Sequence, residues 1–96
     1  MYPVEDIPDD DKLYYRVHKN QIDKDGKVIP GAFREIDDGM STDWEKYSTP
    51  IASRNRARKP SENAIISFIT NQLRNLKLQV IHNPSRNNRA HSLVKG

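Results

Sequence analysis

The densest apolar run in the chain, Ala64-Ile65-Ile66-Ser67-Phe68-Ile69-Thr70, decides which fold class is open to it. Ile65, Ile69, Leu73 and Leu76 fall at helical spacing and would allow one helix from Glu62 to Leu76. The concentration of β-branched and aromatic residues favours a buried strand instead. We take the strand, at Ala64–Ile69. A short helix at Asn71–Leu76 follows, with Leu73 and Leu76 turned inward, then a strand at Leu78–His82 that ends at Asn83-Pro84.

Other segments fit that choice. Lys12–His18 concentrates aromatic and β-branched residues over a strand's length, and its alternation sets Leu13, Tyr15 and Val17 on one face and Tyr14, Arg16 and His18 on the other. Asp25-Gly26, between Ile22 and Val28-Ile29, reads as a turn. Pro30-Gly31 precedes a second short strand, Ala32–Ile36, closed by Asp37-Asp38-Gly39. Thr42 with Glu45 three residues later fits a capping box, which would open a short helix toward Tyr47, with Trp44 anchoring it to the core. Thr49-Pro50 opens a basic helix running to Arg58, and Lys59-Pro60 closes it. Ser85–Arg89 is a polar basic loop, and Ala90–Val94 a last edge strand. No repeat is present. Residues 1–11 are expected to be an acidic, flexible lead-in and 12–96 a single α+β domain, with a small, mainly antiparallel sheet and two or three short helices.

The core must be small, because only 21 of the 96 residues are Leu, Ile, Val or Phe. That lies just above the share of about 20% below which chains tend to be disordered, so a homodimer or a bound partner would be a natural source of extra buried area. With no Cys the chain has no disulfide and no thiolate metal site, and it holds no apolar run long enough to span a membrane. Met1-Tyr2-Pro3-Val4-Glu5-Asp6 lacks the basic start and apolar stretch of a secretory signal, so a complete cytoplasmic chain is expected.

Charge gives the first functional lead. Residues 1–45 hold 12 acids and 6 bases, a balance of −6, whereas residues 46–96 hold 10 bases and one acid, Glu62, a balance of +9. Either the two halves neutralise each other within the molecule, with the Arg54–Lys59 run facing Asp9–Asp11 or Asp37-Asp38, or a basic surface is offered to a polyanion. On the second reading Arg54, Arg56, Arg58, Lys59, Arg86 and Arg89 contact RNA or single-stranded nucleic acid, or an acidic protein partner. Trp44 and Tyr47 are then candidates for stacking on bases.

The alternative is catalytic. His18, His82 and His91 are the only histidines. A metal-independent, ribonuclease-like phosphodiester cleavage could use His18 and His91 as base and acid with Arg16 stabilising the charged phosphorane. The competing explanation is that all three are hydrogen-bonded structural histidines. Their spacing matches no metal site, and Asp23-Lys24-Asp25-Gly26 lacks the later ligands of a calcium loop, so neither metal nor cofactor is expected. The glycines at 26, 31, 39 and 96 form no phosphate-binding loop, and there is no GxSxG element.

Two resemblances bear on these readings. Arg16 on an early strand followed by Ser41 and Thr42 resembles the nicotinamide-pocket arrangement of ADP-ribosyltransferases, which would imply a remnant of such an enzyme. The chain departs from that pattern in its small size and in having Glu62, close to Pro60, as its sole late acid. In the order Tyr15–His18, Ala32-Phe33, Met40–Trp44, Leu78–Pro84 and Asn88–Gly96, the chain resembles a group of small uncharacterised bacterial proteins. That resemblance implies a stand-alone domain and no catalytic assignment.

Overall fold

The computed structural model describes residues 2–29 and 39–96. The strand expected at Ala32–Ile36 and the break at Pro30-Gly31 lie outside them. The described elements are β1 (Lys12–His18), β2 (Met40–Trp44), α1 (Pro50–Asn55), β3 (Asn63–Ile69), α2 (Thr70–Asn75), β4 (Gln79–His82) and β5 (His91–Lys95), with 3-10 turns at Lys19–Gln21 and Pro60–Glu62. The strands form one antiparallel sheet in the order β3-β1-β2-β5-β4. This is a small α+β fold. Among the described residues no helix is long and apolar enough to cross a membrane.

Strand alternation divides the sheet into two faces. Leu13 and Val17, Met40, Thr42 and Trp44, Ser92 and Val94, and Val80 and His82 are all buried. The helix α2 adds Leu73 and the N-terminal segment adds Ile7, which completes a core shared with Tyr15, Tyr47, Phe68 and Leu78. The acidic lead-in thus has an anchor in Ile7, and its backbone also caps α2. Thr70 donates to the Asp11 carbonyl from both its amide (3.0 Å) and its hydroxyl (2.8 Å), and the Asn71 amide donates to the Asp9 carbonyl (2.9 Å). These bonds satisfy amides that open a helix and that no side chain caps here. Further along, the Lys46 ammonium and the Tyr47 hydroxyl bond Glu5 and hold its carboxyl below the usual range.

Four sequence expectations are corrected. Residues 42–45 form no capped helix, because Met40, Thr42 and Trp44 alternate into the core as β2. The Thr42 hydroxyl donates to the Ser92 carbonyl at 3.1 Å, and Glu45 accepts from the Lys12 amide. The segment at 64–69 is a strand, but an edge one, paired only with β1 among the described strands and half-buried along its length. Conversely β5, expected at the edge, lies between β2 and β4. Helix α1 starts where Thr49-Pro50 placed it, with the Thr49 hydroxyl accepting from the Ala52 amide at 3.1 Å, yet it stops at Asn55. Ser53 is its one buried residue, so no apolar stripe supports further turns.

The last correction concerns Leu76. Helix α2 closes one residue earlier through paired bonds from the Lys77 amide to the Arg74 carbonyl and from the Leu78 amide to the Leu73 carbonyl, with Lys77 in the left-handed region at φ 66°. That reversal leaves Leu76 69% exposed while Leu73 is 6% exposed. Leu73→Ala is therefore expected to cost about 2–5 kcal/mol of unfolding free energy, and Leu76→Ala to stay within about 0.5 kcal/mol of the parent. Urea titration of the two variants checks this, and equal losses would contradict the assignment of inward and outward faces.

Candidate functional site

The face opposite the core carries polar side chains in register. Tyr14 pairs with Asp43 across β1 and β2, and Asp43 pairs with His91 across β2 and β5. Arg16 and Ser41 sit two residues along from Tyr14 and Asp43 on the same face. Helix α1 lies over one side of this face, since the Arg16 guanidinium donates to the Ser53 carbonyl at 3.1 Å. Arg56, just past the helix, and Asn88, in the loop between β4 and β5, complete the walls. Together these residues enclose a cleft of about 300 Å³. That is at the small end of the range for ligand pockets.

Each wall residue is held by a partner. Asp43 is 7% exposed; it accepts from the Asn88 side-chain amide at 2.7 Å and faces the Arg56 guanidinium at 3.6 Å. Arg56 also donates to the Asn87 carbonyl at 3.3 Å, which ties α1 to the β4–β5 loop. Burial pushes the Tyr14 phenol above its usual range, and the Glu45 carboxylate adds to the effect. Tyr14 therefore presents an O–H donor at neutral pH.

His91 is the most constrained. Its Nδ1 lies 2.8 Å from the Asn83 carbonyl oxygen and its Nε2 lies 3.1 Å from Ser41 Oγ. A carbonyl only accepts, so in the neutral ring Nδ1 carries the proton and Nε2 is left as the acceptor for the Ser41 hydroxyl. The result is a hydroxyl, an imidazole and an orienting carbonyl in one line, the arrangement of an activated nucleophile.

The cleft brings together some of the residues singled out from sequence and separates others. Arg16 and His91 both line it. His18 does not: its Nδ1 accepts from the Asn20 amide at 3.0 Å and its Nε2 lies 3.5 Å from Glu62. His82 is a core residue beside the Trp44 and Tyr47 rings. Ser41 shares the cleft with Arg16, whereas the Thr42 hydroxyl is spent on Ser92.

The basic set divides likewise. Arg56 lines the cleft, and Arg54 donates to the carbonyls of Pro60 and Asn63, both at 2.9 Å, which fastens α1 to the start of β3. Arg58, Lys59 and Arg86 are exposed. Arg89 lies over the Tyr47 and Tyr2 rings at 4.2 and 5.0 Å. Trp44, 1% exposed, has no surface for stacking on a base. Asp43 and Asn88 were not picked out from sequence; reading 40–44 as a strand would have placed Asp43 beside Ser41.

No family model, curated protein or solved structure matches the chain.

Proposed function

We propose that the protein binds a phosphate-bearing ligand of the nucleic-acid class, with single-stranded RNA as the leading candidate. One phosphate would sit in the cleft, and the strand would continue over Arg58, Lys59 and Arg86. The observation that carries this reading is the convergence of Arg16 and Arg56, from separate elements, on one cleft that Tyr14 and His91 also line. Guanidinium forks suit phosphate oxygens because they donate in a plane and stay charged. The Asp43 carboxylate in the wall is engaged by Asn88 and Arg56, so the cleft keeps a net positive balance. The absence of Cys fits a reducing, cytoplasmic setting.

Anisotropy of a fluorescent single-stranded RNA oligomer across a salt series tests the proposal. Binding should weaken steeply with salt. The double variant Arg16→Ala/Arg56→Ala should lose at least about tenfold in affinity, with the slope of log K against log salt flattening by roughly 1.4 for two lost phosphate contacts on a single strand. Arg54→Ala, which removes a structural arginine, should leave the slope unchanged. Unaltered binding in the double variant would overturn the cleft as the phosphate site. Absence of RNA binding alongside capture of an acidic peptide would favour the protein-partner reading.

A further inference from the structure

We propose that the cleft is also a catalytic site in which Ser41 is the nucleophile and His91 its general base, acting on a phosphate ester; this rests on the phosphate-binding reading above. The imidazole nitrogen free to take a proton, Nε2, is already occupied by the Ser41 hydroxyl at 3.1 Å, so the nearest proton it can remove is that of Ser41 and not one on the ligand. The Asn83 carbonyl at 2.8 Å from Nδ1 fixes the tautomer this requires, and it would stabilise the imidazolium formed when Nε2 is protonated. A second bond, from the Asn83 amide to the His91 carbonyl at 2.8 Å, locks the two residues together across the strand ends. Ser41 is exposed on the cleft face, between the strands that carry Arg16 and His91.

The chemistry balances without a metal or redox partner. Ser41 Oγ attacks phosphorus as its proton passes to His91 Nε2. The bond from phosphorus to the leaving alcohol oxygen then breaks, and His91 returns the proton to that oxygen, leaving an O-phosphoryl serine. Water, deprotonated by the same nitrogen, attacks phosphorus in the second half. The Ser41–phosphorus bond breaks, the serine oxygen recovers a proton from His91, and a phosphate product leaves. Arg16 and Arg56 face the charge that grows on the non-bridging oxygens during each attack. The arrangement differs from a two-histidine ribonuclease in that the first nucleophile belongs to the protein.

The test uses the full chain and diethyl p-nitrophenyl phosphate, an activated ester whose serine adduct resists hydrolysis. One equivalent of p-nitrophenolate per chain is expected, with the diethylphosphoryl group found by peptide mass on Ser41. Ser41→Ala should abolish the adduct, and His91→Gln should slow its formation at least about a hundredfold, the contribution typical of a general base. Label on Ser41 that forms equally fast in His91→Gln would overturn the pairing. No adduct, or the same adduct in Ser41→Ala, would overturn the nucleophile, and if RNA still binds in the salt series the binding reading stands alone. Labelling as expected without RNA binding would support the Ser41–His91 pair and remove RNA as its ligand.

Discussion

Trp44→Ala is expected to lower the unfolding free energy by about 3–5 kcal/mol, the range for removing a buried large aromatic from a core. Trp44 is 1% exposed at the end of β2, where its register partner is Leu13. Its ring meets Tyr47 edge-on at 5.5 Å and His82 at 5.0 Å, and its indole N–H donates to the Asp11 carboxylate at 2.8 Å. The loss therefore combines a cavity with an unpaired carboxylate in the segment that caps α2. A domain of this length has a total stability of about 5–15 kcal/mol. The variant should accordingly melt at least about 12 °C below the parent. Trp44→Phe, which keeps an aromatic ring and gives up the hydrogen bond, should lose about 1–2 kcal/mol. Thermal and urea unfolding of both variants check the pair. A Trp44→Ala loss under about 1 kcal/mol would show that the core does not depend on this side chain.

Local patterns in the sequence account for β1, for the hairpin turn at Asp25-Gly26, where Gly26 takes φ +80° between the bridged residues Ile22 and Val28, and for the start of α1. They also account for the strand, helix and strand from 63 to 82, within a residue or two at each end. Patterns failed where one residue type serves two purposes. Ser41-Thr42-Asp43 has the composition of a helix cap, yet Thr42 between Met40 and Trp44 is also the inward position of a strand, and burial of three side chains outweighs one capping bond. Which strands lie at the edge depends on pairing between residues some fifty positions apart, as with Asp43 and His91, and no local signal encodes that. The same distance explains the site. Arg16 and His91 could be chosen as chemically capable residues, but their meeting with Ser41, and the exclusion of His18, follow from sheet order.

His82→Phe is expected to show how the core and the cleft depend on each other. His82 is 2% exposed; its Nδ1 accepts from the Glu5 amide at 3.0 Å, so its Nε2 carries the proton and donates to the Arg89 carbonyl at 2.7 Å. Phenylalanine can keep the contacts with Trp44 and Tyr47 but leaves that carbonyl and the Glu5 amide without their partner, at a cost of about 2–4 kcal/mol. The Arg89 carbonyl belongs to the β4–β5 loop, whose Asn83 orients His91 and whose Asn88 holds Asp43. Releasing it should loosen both, and RNA affinity should fall about threefold to tenfold although His82 does not line the cleft. Thr70→Val is the matched control. It removes the buried hydroxyl that donates to Asp11 on the core face, should cost about 1–2 kcal/mol, and should leave affinity unchanged. Both variants would be compared by urea titration and by RNA anisotropy under conditions where each is fully folded. An affinity loss shared equally by Thr70→Val would assign the effect to general destabilisation. Full affinity in His82→Phe would mean that the loop holds Asn83 and Asn88 in place without its anchor in the core.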